Sequence, residues 1–228
     1  EITIITRAAE LHYYRPRIVE YLSDEVTLDK MTMYKEDFYQ KNRITNILNT
    51  EISEIRPESK EVVDKTGKSY SYDRLLIASG GYSFVPPIQG FDKAGVFTLR
   101  EVPDADAIKT YARSSSSVAV IGGGLLGLET AFSMAKLGKK VTVIEFFEWL
   151  LPRQLDRDGG KKLQSMLEEK GMNFILGDSV LSVEGDGKAE SIVLKSGKVL
   201  KADQVIVSAG IRCNLDIAKK AGIAVNNG

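Results

Sequence analysis

Residues 118–145 read VAVIGGGLLGLETAFSMAKLGKKVTVIE. No other stretch limits the fold as tightly. An apolar run, a glycine-rich turn, a helical pattern over about 125–137 and a second apolar run make a strand–turn–helix–strand unit. A further helical pattern over about 155–170 and an apolar run at 173–176 follow. This β-α-β-α-β alternation predicts a parallel sheet with helices on its faces.

The glycines in the turn fit G-x-G-x-x-G, and each has a physical task. Gly122 allows the tight turn. Gly124, without a Cβ, lets the backbone approach a pyrophosphate. Gly127 lets the helix pack close to the strand. The free N–H groups at Leu125 and Leu126 then face the phosphates, with the positive helix end behind them. Glu145 closes the next strand, where a carboxylate accepts hydrogen bonds from ribose hydroxyls and repels a 2′-phosphate. No Arg or Lys stands next to it, so NADH is favoured over NADPH. The strand before, the helix after and the acid at the strand end make the fingerprint specific. Glu129 is placed in the first turn of the helix, where a carboxylate stabilises the helix end.

Composition excludes several partners. Lys plus Arg equals Asp plus Glu, at 31 each, so nucleic acid and anionic membrane are not expected as main partners. No apolar run reaches the length of a membrane span, and no signal peptide opens the chain. The single cysteine, Cys213, cannot form an internal pair, and points to a reducing, cytoplasmic setting. The single histidine, His12, is read as structural, and no metal site is expected.

The two halves repeat each other. TGKSYSYDRLLIASG at 66–80 aligns without a gap on SGKVLKADQVIVSAG at 196–210, and ITIIT at 2–6 matches VTVIE at 141–145. Residues 2–6 and 75–80 are therefore expected as buried strands. In the second half a strand and a glycine turn precede VTVIE; in the first half only Glu1 precedes ITIIT. By analogy, a strand, a glycine loop and a helix of about 25–35 residues are expected to be missing there. The serine run 114–117 is taken as the neighbourhood of a domain boundary. Either Asp156 or Asp158 is expected to cap the second helix.

Several stretches together resemble the two-dinucleotide-binding flavoproteins, the pyridine nucleotide–disulphide oxidoreductase family. They are YYRPRI at 13–18, YDRLLIASGG at 72–81, TLREVPDADAI at 98–108, VAVIGGGLLGLE at 118–129, RQLDRDGG at 153–160 and SAGIRCNLDIAKKAGI at 208–223. The nearest branch is that of NADH:rubredoxin reductase and the nitrite reductase flavoprotein. The resemblance implies FAD and NAD(H) as cofactors, with hydride passing from NADH to the flavin and electrons on to an external acceptor. That acceptor is a rubredoxin-like iron protein, a nitrite reductase partner or a small molecule. It also implies that Arg15 and Pro16 lie at the flavin ring, and that Ala78, Ser79 and Gly80 lie where the chain crosses from the flavin domain to the NAD domain. Gly210 is implied beside the nicotinamide, and Glu129 as an acid near it.

The departures are informative. The family's cysteine pair is absent, so no dithiol step is expected, and Cys213 is read as inert packing. Thr6 and Arg7 stand where the family places an acid for the FAD ribose, with Glu10 as a weak substitute. The expected fold is α/β with two Rossmann-like FAD/NAD(P)-binding domains, parallel sheets with helical layers and a β-meander crossover. The flavin domain is expected to be truncated at both ends. The expected limits are 1–104 for a partial FAD-binding domain, 105–222 for the NAD(H)-binding domain and 223–228 for the return to the first. The alternative is an NADH-binding sensor or partner-binding module without redox turnover.

Overall fold

The computed structural model describes residues 1–226. In chain order its strands are β1 (Ile2–Ile5), β2 (Ile44–Ile47), β3 (Ile52–Arg56), β4 (Glu61–Asp64), β5 (Ser69–Ser71), β6 (Gly81–Ser83), β7 (Val96–Thr98) and β8 (Ser117–Ile121). They continue with β9 (Lys140–Glu145), β10 (Asn173–Leu176), β11 (Val180–Glu184), β12 (Ser191–Leu194), β13 (Val199–Lys201), β14 (Gln204–Val207) and β15 (Ile211–Cys213). The α-helices are α1 (Ile18–Leu22), α2 (Leu28–Met31), α3 (Glu36–Lys41), α4 (Val102–Ala112), α5 (Leu125–Lys136), α6 (Arg157–Glu168) and α7 (Asp216–Lys220). Two compact units divide them. The first comprises residues 1–15, 28–82 and 212–228; the second comprises 16–27 and 83–211.

The second unit holds a five-stranded parallel sheet in the order β10-β9-β8-β14-β7. Its central strands, SVAVI and QVIV, are buried nearly throughout, as strands covered on both faces must be. Alternation sorts their side chains. Ala119, Ile121, Val205 and Val207 join Val183, Ile192 and Leu194 of the antiparallel meander β11-β12-β13 in one core. Helix α5 packs on β8 and β9, α4 packs on β7, and α1 packs against both helices. Residues 16–27 therefore belong with this sheet, although the sequence assigned them to the first domain. Strand order reverses between β8 and β14, and ligands of such sheets bind beyond the C-terminal strand ends at that place.

The first unit contains a parallel pair, β1 with β2, and an antiparallel meander β3-β4-β5. The two meanders match: each has a register shift in its first strand and a glycine turn, with Gly67 at φ +89° and Gly197 at +85°.

Three expectations need correction. Residues 75–80 form no strand, and Leu76 is 87% exposed. A strand exists only where its backbone groups pair, and among the described residues this segment joins no ladder. The run at 2–6 does form a strand, but it is not buried; Ile2 is 55% exposed. The serine run 114–117 lies inside the second unit. Asp203 accepts hydrogen bonds from the N–H groups of Ser116 and Ser117 and from Ser117 Oγ, which makes this run an ordered entry into β8. Burial pushes the Asp203 carboxyl up, but these three donors hold it on balance below its ordinary value. The units thus divide at 82/83 and 211/212, whereas the sequence placed domain limits at 104/105 and 222/223. Residues 227–228, the end of the expected return segment, lie outside the described residues. Among the described residues no helix is long and apolar enough to cross a membrane.

Candidate nucleotide site

The glycine loop leaves β8 at the switch point, and the chain's own packing constrains three of its four glycines. Gly122 has φ +114°, and a Cβ there would sit 2.3 Å from the Ser208 carbonyl oxygen at the end of β14. The two strand ends approach this closely because Ser208 N–H donates to the Ile121 carbonyl at 2.8 Å. A Cβ on Gly127 would stand 2.1 Å from the Gly122 carbonyl oxygen, so helix α5 can begin over the loop only with glycine there. A Cβ on Gly124 would meet nothing within 4 Å. Packing of the chain does not require that glycine; it leaves an open approach to the backbone at the helix start. Gly123 is a constraint the sequence reading missed, since a Cβ there would lie 3.0 Å from Leu150 Cδ2 and 3.1 Å from Glu145 Oε2.

Helix α5 has Gly124 as its N-cap and no side-chain cap. Its first turn carries no acid, so the N–H groups of Leu125, Leu126 and Gly127 present an uncompensated positive end. Leu125 is 62% exposed. Glu129 falls in the second turn rather than the first, which corrects the helix-end role expected for it.

Glu145 is buried at the end of β9, with 8% exposure. Its Oε2 accepts the Gly123 N–H at 2.5 Å and its Oε1 accepts the Phe147 N–H at 2.9 Å. The carboxylate therefore fixes the loop to the strand end. Each oxygen has further acceptor capacity for hydroxyl groups. One place thus combines an open glycine, a positive helix end and a fixed carboxylate. Among the residues expected to bind nucleotide, it gathers Gly122, Gly124, Leu125, Leu126, Gly127 and Glu145.

A second grouping joins Pro16 and Glu129. Both line a cavity of about 220 Å³ between α1 and α5, together with Glu20, Ser133 and Lys136. Ser133 Oγ donates to the Val19 carbonyl at 2.7 Å and holds α1 on α5. Partial burial raises the Glu129 carboxyl above its ordinary value, so it keeps its proton to higher pH.

The remaining expected residues are less gathered. In the first unit, the Arg15 guanidinium lies 5.6 Å from the centre of the Tyr13 ring. Ala78, Ser79 and Gly80 are exposed, and Gly80 has φ +64°. Ser79 Oγ donates to the Asn214 carbonyl, and Asn214 Nδ2 donates to the Ser79 carbonyl, both at 2.8 Å. This reciprocal pair had no signal in the sequence, because its members are 135 residues apart. In the second unit, Gly210 is exposed with φ +111° and nothing near its missing Cβ. Asp156, not Asp158, caps α6, accepting the Gly159 N–H at 2.8 Å.

Comparison with known proteins adds family to geometry. The pyridine nucleotide-disulphide oxidoreductase model matches residues 1–228. The chain is 36% identical over 228 residues to the assimilatory nitrate reductase electron transfer subunit of Bacillus subtilis, covering all of this chain and 30% of that protein. It is 34% identical over 230 residues to rubredoxin–NAD(+) reductase of Ectopseudomonas oleovorans, of which it covers 60%. The crystal structure of NADH:rubredoxin oxidoreductase from Clostridium acetobutylicum matches all of this chain and 56% of its own, with TM-score 0.84 and 31% identity. The chain therefore spans between about a third and three-fifths of these relatives.

Proposed function

The chain belongs to the pyridine nucleotide-disulphide oxidoreductase family, and from that premise we propose that it is part of an FAD-dependent NADH:acceptor oxidoreductase. The observation that carries this reading is the loop at the switch point, where Gly124 is open to a ligand while its neighbours are constrained by packing. In this reading the first unit carries flavin-binding residues and the second binds NADH.

Each residue then has a task. The N–H groups at Leu125 and Leu126 bind the pyrophosphate across the open face of Gly124. Glu145 accepts from the adenosine ribose hydroxyls, and its fixed negative charge repels a 2′-phosphate, which favours NADH over NADPH. FAD, when bound, supplies the redox chemistry, accepting hydride from NADH and releasing electrons to the acceptor. The Arg15 cation stabilises negative charge that develops nearby, and Pro16 shapes the wall beside Glu129. Burial keeps the Glu129 carboxyl at that wall protonated to higher pH than an ordinary carboxylate. Gly80 and Gly210, with Ala78 and Ser79, allow close approach of backbone to ligand rings at the two crossings of the chain.

The 228 residues contain one cysteine, so they cannot form a dithiol pair among themselves. The names of the relatives support two acceptor classes, a rubredoxin-like iron protein and a nitrate reductase served by an electron transfer subunit. One cysteine and balanced charge also fit a cytoplasmic protein that binds neither nucleic acid nor membrane. The test is an anaerobic visible spectrum of the intact protein before and after NADH. Bleaching of a flavin spectrum supports the oxidoreductase. A colourless protein that still binds NADH supports the sensor instead.

A further inference from the structure

Helix α1 is five residues long, too short to hold its shape alone in water. Its place is set by what it packs on. Ile18 and Leu22 are buried, and the helix lies against α4 and α5. Burial of apolar surface has no preferred direction, so it does not fix the rotation or register of so short a helix. Directed bonds do. Ser133 Oγ, on α5, donates to the Val19 carbonyl at 2.7 Å. Lys109 Nζ, on α4, donates to the Tyr21 carbonyl at 3.3 Å and to Asp24 at 3.1 Å, and lies 3.8 Å from the centre of the Tyr21 ring. The Val19 carbonyl already accepts the Ser23 N–H, and the Tyr21 carbonyl the Asp24 N–H. Neither needs a further donor to complete the helix.

What α1 carries gives the extra bonds a use. Pro16 and Arg17 close the short turn Arg15–Arg17 and run into α1 without a break. Pro16 lines the same cavity as Glu129 of α5. Pro16, α1, α4 and α5 all belong to the second unit. The seat of α1 therefore decides where Pro16 stands relative to Glu129.

We propose that Ser133 and Lys109 are positioning residues: from α5 and α4 they pin α1, and through α1 they set Pro16 beside Glu129. The proposal rests on the reading that this wall serves hydride transfer from NADH. Both residues lie outside the loop that binds the pyrophosphate in that reading, so they act on rate and not on affinity.

The test follows flavin bleaching by NADH in anaerobic stopped flow on the intact protein, which separates the dissociation constant from the limiting rate. Amide hydrogen exchange over residues 18–25 reads the docking of α1 itself. The variants are Ser133→Ala, Lys109→Met and the double variant. In the double variant, exchange is expected to quicken by more than about ten-fold and the limiting rate to fall by about ten-fold, with the NADH dissociation constant within about two-fold of wild type. Each single variant is expected to show the same split at about three-fold, and decides the case if the double variant does not fold. Faster exchange with an unchanged limiting rate overturns the proposal, because α1 then moves without consequence. Unchanged exchange overturns it too, because the two residues are then not pins. Rate and affinity lost in equal measure also overturn it, since the damage is then general. A wild type that NADH does not bleach overturns the oxidoreductase reading, and the proposal with it.

Discussion

Ile206 and Leu76 occupy the same place in the two copies of the internal repeat, yet their surroundings are opposite. Ile206 lies in β14, between β8 and β7, with no exposure; Leu76 lies in no strand and is 87% exposed. The flanking elements agree well: both copies have the three-stranded meander, the bulged first strand and the positive-φ glycine turn. Local sequence is thus enough to build a meander, whose partners are neighbours in the chain. It is not enough to build a central parallel strand, whose partners come from distant segments.

The sharpest way to break this contrast is truncation at the aligned pair. In the 228-residue chain, Ile206→Ala is expected to cost about 2–5 kcal/mol and Leu76→Ala less than about 0.5 kcal/mol, as read by urea unfolding. Equal losses would mean that residues 74–77 are paired and covered in solution.

The glycine turns test the likeness instead of the difference. Gly67 and Gly197 have nearly the same positive φ, and neither has an atom within 4 Å of its missing Cβ. Alanine at either site is expected to cost about 1 kcal/mol through backbone strain alone. Unequal unfolding midpoints for the two variants would show that the turns are not equivalent.

A smaller effect separates the copies again. Thr66 and Ser196 are aligned, but different carboxylates hold them: Asp64 accepts from Thr66 Oγ1 at 2.6 Å, and Asp178 accepts from Ser196 Oγ at 2.5 Å. These hydroxyls are the main reason both carboxyls lie below their ordinary values. Because the folded-state pKa is depressed, the stability they contribute is full above the ordinary carboxylate range. It is lost as pH falls through the depressed one. Asp64→Asn and Asp178→Asn are each expected to lower stability at neutral pH and to flatten its fall in acid. Parallel acid curves for variant and wild type would contradict this.

The glycine loop was the most legible part of the sequence because its constraints lie within 28 consecutive residues, 118–145. Spacing alone predicted the tight turn at Gly122, the close helix packing at Gly127, and the strand and helix around them. It did not reveal that Gly123 carries Glu145, because that bond depends on how the loop folds back over the strand end. Nor did it place α1 with the second unit, because the packing of Val19 on Ser133 joins residues 114 apart. The strand expected at 75–80 failed for the same reason in reverse. Its apolar pattern was correct for a strand, but a pattern does not supply the neighbour.

The central claim is that the open space at Gly124 is a nucleotide's place, and NADH affinity of Gly124→Val tests it most directly. The first atom of a valine side chain, its Cβ, meets nothing within 4 Å in the chain. Gly124→Val is expected to fold, with a midpoint lowered only by the poorer helix cap, and to bind NADH more weakly by more than about ten-fold. Undiminished NADH binding in a folded Gly124→Val protein would contradict it.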